Sequence, residues 1–312
     1  MNIVYFGSSE FAVLPLKSLI EAGADICCVV TQPDKQKGRG LRVEGTPVKK
    51  TAKEAGLEIY QPAGINTKEA ADFLKKLKPD LFVVIAYGQI LSQAILDIPK
   101  IFSVNTHASL LPKYRGAAPI NWAIVKGEKV TGISVIRMNS RMDAGDILLQ
   151  KRTDIDDCDT TATLSVKLSG LAALLLLESL SAIENKKINP VKQKDAEVSF
   201  APLLKKEDGL VDWGKTAQEL HNLVRGLYPW PGAFTYHKGR LIKICVSKVR
   251  GSGGLRAQPG EIIEAEKSGI IVGTKSGLLE ILELQPEGKR RMTAAEFISG
   301  HKLKAGQLLG KI

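Results

Sequence analysis

Four short strand candidates constrain this chain more than any other feature. Asn2–Phe6, Asp25–Thr31, Leu81–Ala86 and Phe102–Thr106 are five to seven residues long. Leu81–Ala86 reads Leu-Phe-Val-Val-Ile-Ala, without polar alternation, as a strand covered on both faces does. The segments between them carry a helical period. Glu10–Glu21 spaces Phe11, Leu14, Leu16, Leu19 and Ile20 and stops at Gly23. Pro47–Ala55 opens with proline at the first helical position, and Thr67–Leu77 ends before Pro79. Leu57–Tyr60 fits a further short strand. This rhythm predicts an α/β fold with a doubly wound, largely parallel sheet. Gly132–Met138 and Ile147–Arg152 then read as a strand pair, and Thr160–Ile183 as a long helix rich in Leu and Ala.

The composition shifts after that helix. A chain of 312 residues suits about two domains. We expect a first domain over 1–188, a charged linker over 189–205 and a second domain over 206–312. In the last, a helix at Thr216–Leu223 precedes short Gly-punctuated strands at Ala233–Tyr236, Leu241–Val249, Glu261–Ala265, Gly269–Val272 and Leu278–Leu284, and a helix at Ala294–Ser299. That spacing suggests a small OB-like β-barrel. The net charge is +11, and the excess is denser at the C-terminal end. The last 107 residues hold 17 basic and 11 acidic side chains, against 27 and 22 in the first 205. A basic surplus suits a polyanionic partner such as nucleic acid.

Several classes are disfavoured. The longest apolar run, Leu171–Leu177, is far short of the roughly 18 residues of a membrane span. The N-terminal residues lack a basic lead and a long apolar stretch, so a cytoplasmic protein without a membrane partner is expected. Cys27, Cys28, Cys158 and Cys245 form no C-x-x-C pair, and the four histidines are scattered, so we expect reduced thiols and no metal. Gly7-Ser8-Ser9-Glu10 follows the first strand but lacks the G-x-G-x-x-G fingerprint of dinucleotide binding.

Three motifs carry chemistry. Asn105-Thr106-His107 lies at the carboxyl end of a predicted parallel strand, where open α/β sheets bind ligands. Strand alternation points Asn105 and His107 the same way, an amide donor beside a proton carrier. Met142-Asp143-Ala144-Gly145-Asp146 offers a carboxylate that could hold the His107 tautomer, although such a turn is also common structural punctuation. The long loop after the second strand carries six basic residues between Asp34 and Lys50, with glycines beside Arg39 that let a guanidinium approach a phosphate.

With these segments in view, the chain resembles the methionyl-tRNA formyltransferases. The matching stretches are Thr31-Gln32-Pro33-Asp34 with Gly38-Arg39-Gly40, Asn105-Thr106-His107-Ala108-Ser109-Leu110-Leu111-Pro112, Tyr114-Arg115-Gly116-Ala117-Ala118-Pro119-Ile120, Met142 to Asp146, and Tyr228-Pro229-Trp230-Pro231-Gly232-Ala233. The histidine segment is shared by folate-dependent formyltransferases generally. The basic loop and the Pro-Trp-Pro-Gly-Ala stretch are more specific. The resemblance implies a Rossmann-like formyltransferase domain followed by an OB-like tRNA-binding domain. It implies 10-formyltetrahydrofolate as consumed co-substrate and the α-amino group of methionyl-initiator-tRNA as acceptor, with no metal. It implies Asn105, His107 and Asp143 as the catalytic trio. It implies a folate site from Ser109, Leu110, Leu111 and Pro112 with the turn Ala86, Tyr87, Gly88, Gln89, Ile90 and Leu91, and tRNA contacts from Lys35, Lys37, Arg39 and Arg42. A monomer is expected. Arg141 stands where the family commonly has glycine. The alternative reading is another folate-dependent formyltransferase acting on a small amine, which would share the trio without needing the basic loop.

Overall fold

The structure is a computed structural model that describes residues 1–37, 42–251, 257–266, 268–301 and 303–310. It divides into two compact units. The first comprises Met1–Pro119, Val130–Asp154 and Ser165–Ala201, and the second Ile120–Lys129, Ile155–Leu164 and Pro202–Ile312.

The first unit is built on a seven-stranded sheet. Its strands are β1 (Ile3–Gly7), β2 (Ile26–Val30), β5 (Ile59–Tyr60), β6 (Leu81–Ile85), β7 (Phe102–His107), β8 (Val130–Arg137) and β9 (Ile147–Asp154), in the order β5-β2-β1-β6-β7-β8-β9. The first five run parallel, and β8 and β9 close the edge antiparallel. The chain runs outward from β1 in both directions, which places the strand-order reversal between β1 and β6. Helices α1 (Val13–Glu21), α2 (Pro47–Glu54), α3 (Lys68–Lys76) and α4 (Gln93–Leu96) connect the parallel strands, and α5 (Pro119–Val125) precedes β8. Thr46 and Thr67 cap α2 and α3, each hydroxyl accepting the backbone N–H three residues on.

Both faces of the sheet are dry. Val4, Phe6, Cys28, Val30, Phe82 and Val84 pack with Ala70 and Leu74 of α3 in one core. Their alternates Ile3, Tyr5, Val29, Leu81, Val83 and Ile85 are buried too, which is why these strands read as continuous apolar runs. The Tyr5 hydroxyl donates to Ala12 O at 2.6 Å. The long helix α6 (Thr161–Glu184) is, by length and composition, apolar enough to cross a membrane. Leu168, Ala172, Leu175, Leu176 and Leu180 are buried within the protein, and Ser169 Oγ ties the helix to Phe11 O at 2.7 Å. Burial pushes the Cys27 thiol up to about 11 and the Cys28 thiol up to about 12, so both stay protonated and inert.

Two segments beside the sheet are more ordered than the sequence expectation. The segment expected as a loop after β2 contains a two-stranded antiparallel ribbon, β3 (Lys35–Lys37) with β4 (Arg42–Glu44). Its strands are too short and too polar to show an alternation. The segment expected as a linker is fixed to the first unit as far as Ala201. Val191 exchanges both backbone hydrogen bonds with Ile147, each 2.8 Å, and Ala201 N donates to Arg115 O at 2.7 Å.

The second unit holds α7 (Ala217–Gly226), β10 (Ala233–His237), β11 (Arg240–Arg250), β12 (Ile262–Glu266), β13 (Gly269–Gly273), β14 (Leu278–Pro286), β15 (Met292–Thr293) and α8 (Ala294–Gly300). The sheet order is β10-β11-β14-β13-β12, antiparallel throughout, with β15 beside β14. Among the described residues no ladder joins β10 to β12. Trp213 centres the core with Leu220 and Val224 of α7 and Phe297 of α8, and its indole N–H reaches Thr235 Oγ1 at 3.1 Å. Capping boxes at Thr216 and Thr293 start the two helices.

Candidate active site

β7 delivers two residues of the expected trio. Asn105 and His107 are two positions apart on one strand and leave the sheet on the same side. Asp143 comes from the connection between β8 and β9. That connection is narrow: Arg137 N donates to Asp146 O at 2.9 Å, and a Cβ at Gly145 would lie 1.7 Å from Arg137 O. Only glycine allows this approach. Asp143 itself has φ 51°, in the left-handed region. Arg141, where the resemblance led us to expect glycine, lies outside that region and is exposed, with its N–H on Asn139 Oδ1 at 2.9 Å.

The three side chains meet at one carboxylate. Asn105 Nδ2 donates to Asp143 Oδ1 at 3.1 Å. Gly116 N–H donates to Asp143 Oδ2 at 2.9 Å, and His107 Nδ1 lies 3.5 Å from the same oxygen. His107 Nε2 is 2.9 Å from Tyr114 O. A carbonyl only accepts, so Nε2 carries a proton in this contact. His107 is 6% exposed, so little solvent competes for it. Tyr114 and Gly116 have φ of 61° and 121°, a turn that aims one carbonyl at the histidine and one N–H at the aspartate. Tyr114 N in turn donates to Ser199 Oγ at 2.9 Å. In the sequence, Tyr114-Arg115-Gly116 contributes to the resemblance and suggests no role of its own. The contacts are made by backbone, which leaves no side-chain signature apart from the glycine.

The residues of the expected folate site fall at the carboxyl ends of the neighbouring parallel strands β6 and β7. Ser109 is fully buried, and its hydroxyl donates to Lys113 O at 2.6 Å, so it braces the loop from inside. Ser134 Oγ donates to Ser109 O at 2.6 Å and accepts from Leu111 N at 3.0 Å, and Gln150 Nε2 donates to Leu111 O at 2.8 Å. Ser134 and Gln150 lie on β8 and β9, far away in sequence, and no sequence signal connects them to this loop. Leu111 is buried, while Leu110 and Pro112 are half-buried. After β6, Ala86 and Gly88 take φ of 45° and 89°. Tyr87 is buried edge-on to Phe6, and burial pushes its hydroxyl up to about 12. Gln89 Oε1 accepts from Ile65 N at 2.9 Å, Leu91 is buried, and Ile90 is 66% exposed. Ser8 Oγ donates to Tyr87 O at 2.9 Å, joining the ends of β1 and β6 where the strand order reverses.

The expected tRNA contacts fall on the stretch of chain between β2 and α2. Lys35, on β3, is exposed and donates to Gln32 Oε1 at 2.6 Å. The backbones of Lys37 and Arg42 pair across the ribbon. Arg39 lies outside the described residues. The foot of the ribbon is tied down by Asp34, whose carboxylate accepts from Gln61 Nε2 at 2.8 Å and from Lys49 Nζ at 2.6 Å. These two donors hold the Asp34 carboxyl below its usual range.

Comparison with known proteins agrees with this architecture. Residues 1–180 match the formyl transferase family, and residues 203–302 match the formyl transferase C-terminal domain. A protein of Citrifermentans bemidjiense named methionyl-tRNA formyltransferase is 46% identical over 312 residues, covering 100% of this chain and 97% of that one. Among solved structures, WlaRD, a sugar 3N-formyl transferase crystallised with dTDP and 5-N-formyl-THF, superposes with a TM-score of 0.68 at 20% identity. The match covers 93% of this chain and 99% of WlaRD. HypX from Aquifex aeolicus in complex with tetrahydrofolic acid gives a TM-score of 0.62 at 18% identity over 95% of this chain, which spans about half of HypX (46%). Matched in both its parts and over nearly its whole length, the chain belongs to the methionyl-tRNA formyltransferase family of formyl transferases.

Proposed function

We propose that the protein transfers the formyl group of 10-formyltetrahydrofolate to the α-amino group of methionyl-initiator-tRNA, in the cytoplasm and as a monomer. Residues 1–188 carry the chemistry, and 206–312 with the β3–β4 ribbon carry the tRNA. The observation that supports this best is the Asp143 carboxylate held between Asn105 Nδ2 and His107 Nδ1 at the end of β7.

The reaction is acyl transfer to an amine. A free α-amino group titrates near pH 7.7–8.0, so part of it is already nucleophilic at neutral pH. Its nitrogen attacks the formyl carbon, the carbonyl electrons move onto oxygen, and collapse of that tetrahedral centre breaks the bond to N10 of the folate. One proton leaves the amine and one returns to N10. Asn105 has two N–H groups, and one is spent on Asp143. The second is available to the developing oxyanion. His107 can donate there only by turning its Nε2–H away from Tyr114 O. Asp143 receives the amine proton, directly or through water, with His107 Nδ1 3.5 Å from the same carboxylate. The strand-end turns at 86–91 and 109–112 would position the folate.

The test is a formylation assay with purified protein, 10-formyltetrahydrofolate and charged initiator tRNA, with elongator methionyl-tRNA and an amino-sugar nucleotide as control acceptors. Formyl transfer to the initiator alone supports the reading. Transfer to the small amine alone overturns the tRNA part and supports the alternative formyltransferase.

A further inference from the structure

Gln193 lies in the segment expected as a linker and belongs to no motif read from the sequence. Its side-chain amide is completely used. Nε2 donates to Asp143 O at 2.8 Å and to Gly145 O at 2.7 Å. Oε1 accepts from Arg115 Nε at 2.9 Å and from Arg115 Nη2 at 2.7 Å. An amide has two N–H donors and one oxygen with two lone pairs, so all four positions are filled. Arg115 is 8% exposed, and a buried guanidinium needs such a partner.

The amide therefore joins two separate stretches of backbone. One is the Tyr114–Gly116 turn, which gives a carbonyl to His107 and an N–H to Asp143. The other is the Asp143–Gly145 turn, whose aspartate sits at φ 51°. A residue with a side chain stays in that region only where its surroundings fix it. Without Gln193, two part-buried carbonyls lose their donors, and the turn is free to relax toward an ordinary conformation. The carboxylate would then swing away from Asn105 and His107.

We infer that Gln193, anchored by Arg115, is a positioning residue for formyl transfer: it fixes the left-handed backbone at Asp143 and so keeps the carboxylate between Asn105 and His107. The inference rests on the proposed role of Asp143.

Two variants test it, Gln193→Ala and Gln193→Glu. Glutamate keeps the oxygens that meet Arg115 and removes both N–H donors, so it separates the anchor from the clamp. The wild type and both variants are assayed for kcat, for Tm, and for the KM values toward the folate and the acceptor. The acceptor is whichever of initiator tRNA or amino-sugar nucleotide the wild type formylates. The expected result is a kcat lower by about 10- to 100-fold in both variants, with each KM within about twofold, because misplacing a reacting group by about 1 Å costs on that order. Gln193→Glu should remain slow even where its Tm is closer to that of the wild type. The inference is overturned if either folded variant keeps a kcat within about twofold of wild type. It is also overturned if Gln193→Glu regains kcat in step with Tm, or if the loss falls on KM. A wild type that formylates neither acceptor overturns the proposed function, and this inference with it. Active wild type beside unimpaired variants overturns the inference alone.

Discussion

The Asp143 turn and the β3–β4 ribbon are both short polar connections beside the same sheet, and they are held in opposite ways. At Asp143 the carboxylate, the backbone carbonyl and the next turn of chain all have partners, supplied by β7, by the Tyr114–Gly116 turn and by Gln193. The backbone is strained, and the histidine beside it is 6% exposed. Among the described residues, the ribbon is tethered at its foot through Asp34, Gln61 and Lys49, and Lys35 is open to water. The difference fits the roles proposed for the two regions. A group that stabilises charge in a transition state works when its dipoles are fixed in advance and water is kept out. A group that meets phosphates works by long-range attraction and gains from exposed, mobile cations.

Breaking the first region should cost most. Asp143→Ala removes the carboxylate that Asn105, Gly116 and His107 all address, and kcat should fall by about 10²–10⁴, the usual range for a positioned acid–base group. Single-turnover formylation read beside Tm checks this, and a kcat within about tenfold of wild type would remove Asp143 from the chemistry. Asn105→Ala should follow, at about 10²–10³ in kcat, the range for one oxyanion donor. If instead KM rises and kcat stays, the amide binds substrate and does not stabilise the oxyanion.

Gly145→Ala sharpens the comparison from the backbone side. Its Cβ would lie 1.7 Å from Arg137 O, so the turn must move. We expect a loss of about 1–3 kcal/mol in chemical denaturation, as for an overpacked core site, together with reduced kcat. Arg42→Ala on the ribbon should behave differently. It should raise the KM for tRNA, spare that for folate, and reduce the slope of log KM against log salt by about one, as expected for one lost phosphate contact. An unchanged slope would place Arg42 away from the tRNA.

The smallest effect belongs to the ribbon foot. Asp34→Asn should leave the unfolding midpoint at pH 7 nearly unchanged, because the pair with Lys49 is solvent-exposed. Its carboxyl is held low in the folded protein, so whatever it contributes is present above its unfolded value near pH 4 and disappears as the pH falls through the folded value. Melting curves from about pH 3 to pH 7 should therefore show wild type and variant converging at the acid end. A gap that widens there would mean the pair is not what ties the foot.

The sequence determined the centre of the sheet, because β1, β2 and β6 are covered on both faces and must be written as apolar runs. It also determined Asn105 and His107, since alternation along one strand decides where neighbouring side chains point without reference to anything distant. The Pro119–Val125 helix and the Lys35–Glu44 ribbon were not legible, because a helix of two turns or a three-residue strand is too short to show its period. Only the tertiary structure decided that Asp143 faces β7, that the chain turns left-handed at Asp143 and not at Arg141, and that Tyr114 and Gly116 serve through their backbones. It alone brought Gln193 to Asp143, across 50 residues of sequence. Hydrogen bonds of this kind have no period and no required spacing. They exist where the packed core brings two distant segments within about 3 Å, and that is a property of the folded chain.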